Sequence, residues 1–347
     1  MKTNYRWLVV VFGLSLIGAL NVRAGETYRF LKEIPVGGDG GWDYLSVDET
    51  ARRLYVTHTT KIVVIDLDKE TVVGEIADTL GVHGFAVAPE LGRGFSSNGK
   101  ENKASIVDLK TLQTIAKVDT GESPDAILYE PGRQEVYTFN GRGQSATVFE
   151  AKTGKIVATV PLSGKPEFAV ADPMAACVYV NIEDKNEMAV IETKTHTVVT
   201  SRPIAPGEEV TGMAFDAAHH RLFIGCHNKL MLMMDSYFCW GFTSPIGKVI
   251  TSVPIGAGVD ANAFDSGTQL AFASCGDGTV TIAHEDSPEK LTVVQTLVTE
   301  RGARTMALDS TTHKIYLASA KTEPAPAGQR PKIIAGSFKI LVYGLAQ

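Results

Sequence analysis

The stretch Asp43-Tyr44-Leu45-Ser46-Val47-Asp48-Glu49-Thr50-Ala51-Arg52-Arg53-Leu54-Tyr55-Val56 sets a ruler that the rest of the chain obeys. Counting from Asp43, an acid stands five residues on (Asp48) and an aromatic twelve residues on (Tyr55). The same ruler fits His83 with Phe95, Asp125 with Tyr137, Glu167 with Tyr179, Thr211 with Phe223, Asp260 with Phe272, and Arg304 with Tyr316. Six of the seven units carry Asp or Glu at the five-on position: Asp48, Glu130, Asp172, Asp216, Asp265 and Asp309, with Ala88 the exception. Successive spacings are 40, 42, 42, 44, 49 and 44 residues. A fixed period of this length marks a repeat architecture, so it outranks any local reading.

Within each unit the texture is that of strands and turns. Short apolar runs such as Leu54-Tyr55-Val56 and Ile62-Val63-Val64-Ile65 alternate with turn chemistry such as Glu130-Pro131-Gly132 and Lys152-Thr153-Gly154-Lys155. Four strands in roughly 42 residues is the signature of a propeller blade. The seventh unit ends on Phe338 to Tyr343, its third strand, while Tyr28 to Ile34 form a spare strand ahead of the first unit. The expected fold is therefore all-β: a seven-bladed β-propeller of four-stranded antiparallel blades, with the ring closed by the N-terminal strand. Closure removes exposed strand edges. One ring makes residues 25–347 a single domain, although a length of 347 residues suggests two.

Residues 1–24 stand apart. Lys2 and Arg6 precede an apolar run from Trp7 to Leu20, and Val22-Arg23-Ala24 has the small-x-small form of a cleavage site. This predicts a signal peptide, an exported chain (periplasmic or extracellular) and no membrane span, since a run of 14 is short of the ~20 residues a helix needs to cross. Removing these 24 residues takes away Lys2, Arg6 and Arg23, so the net charge of −6 becomes −9 over 323 residues. An acidic balance makes nucleic acid an unlikely partner, because phosphate binding calls for a basic face. The expected mature chain is a monomer.

At the strand that bears Tyr55 the chain resembles the YVTN-repeat β-propellers. Tyr55-Val56-Thr57-His58 is the nearest copy of the signature, with His in place of Asn; Val178-Tyr179-Val180-Asn181, Val136-Tyr137-Thr138-Phe139-Asn140 and Ile315-Tyr316-Leu317 are looser copies. The resemblance spans the mature chain and implies an exported binding scaffold. It also implies that some relatives bind DNA, and that related seven-bladed propellers include lactonases.

The reference positions begin the innermost strands, so they form a ring at the mouth of the central channel: Asp43, His83, Asp125, Glu167, Thr211, Asp260 and Arg304. The loop after each second strand should add His58 and His227 to the same face. Clustered carboxylates raise one another's pKa or recruit a cation. The candidate metal ligands are Asp125, Glu167, Asp260 and His83. Oxygen donors favour calcium or magnesium, and the histidine admits zinc. A second reading of the ring acids makes them latches to backbone amides of the next blade. The five-on acids sit at the first hairpin of each blade and read as turn supports.

Three further features stand outside the repeat. The aromatic insertion Ser236 to Pro245 joins the third and fourth strands of blade five. A Pro-rich stretch, Pro324 to Gly328, lengthens the second loop of blade seven near Arg304. Cys226 and Cys275 occupy equivalent positions in adjacent blades and raise the question of a disulfide. No nucleophile elbow, Walker loop, H-E-x-x-H or EF-hand loop occurs, so no catalytic residue is assigned. The favoured function is a scaffold binding a small ligand, metal ion or protein at an acidic mouth. The alternatives are a metal-assisted lactonase-type hydrolase, with His83 as proton acceptor, and a DNA-binding propeller.

Overall fold

A computed structural model describes residues 27–236, 247–324 and 331–346. The expected signal peptide, most of the aromatic insertion and most of the Pro-rich stretch lie outside them. The strands form seven four-stranded antiparallel sheets in chain order. Blade one runs Leu45–Asp48, Arg53–His58, Lys61–Asp66 and Thr71–Ile76 from the axis outward, and blades two to six repeat that order. Blade seven takes its inner strands from Met306–Asp309, Lys314–Ser319 and Lys339–Leu345, and its outer strand from Tyr28–Pro35. That strand pairs antiparallel with the chain end, from Tyr28 opposite Leu345 to Pro35 opposite Lys339. The fold is the seven-bladed propeller expected from the repeat. Among the described residues no helix is long and apolar enough to cross a membrane.

The core is not central. It lies in seven apolar clusters, each between two neighbouring blades. Sheets that are apolar on both faces must stack face to face, and a ring lets every blade do so twice. The twelve-residue ruler follows from this packing. Tyr55, Phe95, Tyr137, Tyr179, Phe223, Phe272 and Tyr316 are each wholly buried in the joint to the following blade. An aromatic fills that wedge-shaped gap, and each contributes about 1.5–3 kcal/mol by burial.

The five-on acids stand on the opposite face, where some support their own hairpins and others reach the next blade. Asp48, Asp172 and Glu130 accept backbone N–H groups of their own hairpins, from Ala51, from Ala175, and from Gly132 and Arg133. Asp309 receives both guanidinium nitrogens of Arg52 at 2.8 Å, and Asp265 takes Nδ1 of His313 at 2.6 Å, in each case from the next blade.

Cys226 and Cys275 are reduced and buried. Their positions are equivalent, but Cys226 packs in the joint between blades four and five and Cys275 in the joint between five and six. A blade-width of core therefore separates the two thiols.

Candidate functional site: the channel mouth

The ring residues owe their aim to a shared backbone irregularity. In blades two to six the innermost strand shifts register against its neighbour at the ring position: after Val82, Pro124, Pro166, Val210 and Val259. A bulge turns a side chain out of the sheet plane, here toward the axis. Asp43 and Arg304 lie just ahead of strands Leu45–Asp48 and Met306–Asp309 and complete the ring. The next blade can approach closely because Gly84 has no side chain; a Cβ there would stand 2.9 Å from Ile127 Cγ2 and 3.5 Å from the Asp125 carbonyl. Gly99 makes the same allowance for His83, whose Nε2 would lie 2.7 Å from an added Cβ.

His83 occupies the middle of the acidic side. Its Nδ1 is 2.6 Å from Asp43 Oδ2 in an aligned hydrogen bond and 3.6 Å from Asp125 Oδ1. Asp43, His83 and Asp125 each present a donor atom, all within 4.8 Å of one another. Two further acids are countered by cations. Lys165 Nζ lies 2.9 Å from Glu167 Oε2 and also contacts Glu183. Arg304 Nε lies 3.0 Å from Asp260 Oδ2.

Electrostatics follow from this crowding. Burial pushes Asp260 up to about 7, opposed by Arg304 and reinforced by Asp43 and Glu167. Burial pushes Asp125 and Glu167 up, reinforced at Asp125 by Asp43 and at Glu167 by Asp125. Burial opposes the charge on His83, but the Asp43 hydrogen bond and the fields of Asp125 and Glu167 prevail and raise it to about 9. With no cation at the mouth, His83 is thereby favoured in its protonated form, hydrogen-bonded to Asp43.

The ring acids do not latch onto backbone amides of the next blade; Asp43 and Asp260 reach it through the side chains of His83 and Arg304 instead. Among the described residues no backbone N–H donates to the carboxylates of Asp43, Asp125, Glu167 or Asp260. Neutral side chains do that work: Asn181 donates to the Thr211 carbonyl at 2.7 Å, Thr211 to the Val259 carbonyl at 3.0 Å, Ser274 to the Ala303 carbonyl at 3.0 Å, and Ser97 to the Asp125 carbonyl. Thr211 is thereby a structural member of the ring, 2% exposed and engaged with blade six.

The remaining expectations divide. His227 reaches the rim, where its charge acts on Asp260, and its Nδ1 lies 3.3 Å from Glu209. His58 does not reach it. Its ring packs 4.5 Å from Phe338 beneath Gly38, it is 2% exposed, and burial pushes its pKa down. The Thr59–Thr60 turn leaves it facing the joint between blades seven and one. Of the candidate ligands, His83 and Asp125 converge, with Asp43 as the third donor, while Glu167 and Asp260 face Lys165 and Arg304.

Three residues escaped the sequence reading. Lys165 sits two residues ahead of Glu167, outside the ruler. Tyr44 and Phe168 each follow a ring residue and meet edge to face, 5.3 Å apart, from blades one and four across the channel. Burial, with Asp125, Glu167, Asp260 and Asp43 around it, raises the Tyr44 hydroxyl well above its usual range. The mouth is thus lined by acids beside this aromatic pair.

The fold resembles one of the chains solved as "Kuenenia stuttgartiensis Hydrazine Synthase", with a TM-score of 0.69 and 15% sequence identity over 80% of this chain and 92% of that one. At that identity the likeness is one of fold alone. No protein-family model matches the sequence. No curated protein matches it either.

Proposed function

We propose that this chain is an exported, monomeric binding propeller of the YVTN-repeat kind, and that its channel mouth binds a small ligand through a cationic group, a divalent ion or an amine. The observation that carries this reading is the state of the ring acids. They are buried and crowded together without backbone partners, and burial and crowding raise the pKa values of Asp125, Glu167 and Asp260. Groups kept in a destabilising arrangement are the mark of a site. Asp43, Asp125, Glu167 and Asp260 supply the negative face; His83, Lys165 and Arg304 keep it from being uniformly anionic and give donors to the polar remainder of a ligand. Tyr44 and Phe168 add the aromatic pair beside the acids.

Ligand binding expels protons from the raised carboxyls, so affinity for a cation rises as the pH moves from 6 to 8. Thermal melts of the chain without residues 1–24, with calcium, magnesium and a short diamine, test this. A concentration-dependent rise in Tm, stronger at pH 8 and lost in the Asp125→Asn/Glu167→Gln double variant, is expected. A wild-type chain indifferent to all three, or a double variant that responds equally, refutes it.

A further inference from the structure

On the opposite face, at the joint between blades five and six, a second constellation departs from its equivalents around the ring. Asp216, the five-on acid of blade five, ends strand Val210–Asp216; His219 stands in the turn that follows; Glu285 comes from the third strand of blade six, Thr279–Ser287. One donor atom from each lies within 4.8 Å of the other two. His219 Nδ1 is 2.7 Å from Asp216 Oδ2 and 3.4 Å from Glu285 Oε1.

These contacts are close but not satisfied. Neither oxygen of Glu285, nor Asp216 Oδ2, nor His219 Nδ1 has an aligned hydrogen-bond partner. Glu285 is 3% exposed and Asp216 2%. Asp216 Oδ1 is occupied, taking the Ala218 N–H at 2.9 Å. The nearby guanidinium of Arg221 is already engaged with Asp235 and with the carbonyls of Pro288, His219 and His220. Two carboxylates set against one imidazole inside a joint, with the described Arg221 guanidinium engaged elsewhere, are a costly arrangement when empty.

Comparable joints show what satisfaction looks like. Asp265 has His313 in a 2.6 Å hydrogen bond and no second acid. Asp309 has a two-pronged Arg52. Among the described residues, the blade five–six joint is the one on this face where a histidine and two acids bring donor atoms within 4.8 Å of one another.

We propose that Asp216, His219 and Glu285 bind a divalent transition-metal ion of the zinc class, which bridges blades five and six. One imidazole with two carboxylates is a donor set suited to zinc. In a tetrahedral zinc site, with ligands at about 2.0–2.2 Å, neighbouring donors stand about 3.4 Å apart. The His219–Glu285 separation already has that value, and the His219–Asp216 pair must open by less than about 1 Å. The half-exposed imidazole gives the ion a route from solvent and leaves the fourth position to water.

The test uses chelator-washed chain lacking residues 1–24 and zinc chloride as the probe. Stoichiometry and affinity are measured by calorimetry and elemental analysis in an Asp43→Asn/Asp125→Asn background, which disables the mouth. One zinc per chain is expected, with at least about 100-fold weaker binding in Glu285→Gln and in His219→Ala, since loss of a direct ligand exceeds the effect of losing an outer-shell partner. His219 is on a turn and half exposed, so His219→Ala keeps the test open if Glu285→Gln does not fold. Cobalt(II) in place of zinc should show a visible spectrum of nitrogen–oxygen coordination that His219→Ala abolishes. No zinc bound in this background, or affinity within twofold of the parent in both variants, overturns the site.

Discussion

The channel mouth and the blade five–six joint are built from the same side chains: two carboxylates facing the Nδ1 of one histidine, at 2.6 and 3.6 Å in one case and 2.7 and 3.4 Å in the other. They behave differently because of what surrounds them. At the mouth, His83 is hydrogen-bonded to Asp43, and Lys165 and Arg304 share the negative charge of the remaining acids. At the joint, His219 Nδ1 is not in an aligned hydrogen bond with either acid, and the described Arg221 is engaged with Asp235. A pair of distances therefore does not define a site. Alignment and the supply of neighbouring charge decide whether the cluster is self-contained or open.

The largest effect should come from a joint that is complete. Arg52→Ala leaves Asp309, whose side chain is wholly buried, without its counter-charge, and chemical denaturation should show a loss of about 3–5 kcal/mol. If the loss is no greater than that of an exposed pair, the contrast between filled and open joints collapses.

Next in size is the pH dependence of metal-free protein. Glu285 is pushed up to about 7 by burial and then by Asp216, and Asp260 to about 7. An acid with a raised folded pKa binds more protons folded than unfolded between its two pKa values, so stability should fall as pH rises from about 5 to 8, by roughly 1–3 kcal/mol. His83 acts in the same sense: its contribution is full below 6.5 and is lost as pH rises through about 9. Urea midpoints that are flat or rise over this range contradict both clusters. Glu285→Gln should remove part of the slope, and at pH 8 without metal it should equal or exceed the parent by about 1 kcal/mol.

Smaller changes sharpen the mouth alone. Gly84→Ala should cost about 1–2 kcal/mol by crowding Ile127, and should weaken ligand binding by moving His83 from Asp125. Arg304→Ala, removing a half-exposed partner, should change stability by less than about 1 kcal/mol, yet raise the apparent pKa of Asp260, read by NMR titration of its carboxyl.

Much of this was legible before any coordinates. The ruler aligns the seven ring positions, and six of them, Asp43, His83, Asp125, Glu167, Asp260 and Arg304, carry the charge of the mouth. His58 was misplaced because its loop was assigned by count, whereas Phe338 and Gly38 decide which way it packs. Lys165, Tyr44 and Phe168 carry no repeat signal, and each matters through a partner on another blade or across the channel. Glu285 was invisible for the same reason: it is an ordinary strand residue until blade six is stacked on Asp216.

The sequence by itself determined the number of blades, their strand order and the closure by the strand from Tyr28 to Ile34, because a buried aromatic every blade and a turn every few residues are requirements of stacking that each unit must meet locally. Only the tertiary structure decided which charges meet. The bulges that aim His83 and Asp125, the glycine contacts that set their separation, and the unfilled joint at Glu285 all arise between blades. Electrostatic interactions there depend on gaps of an ångström and on burial, neither of which a one-dimensional pattern contains.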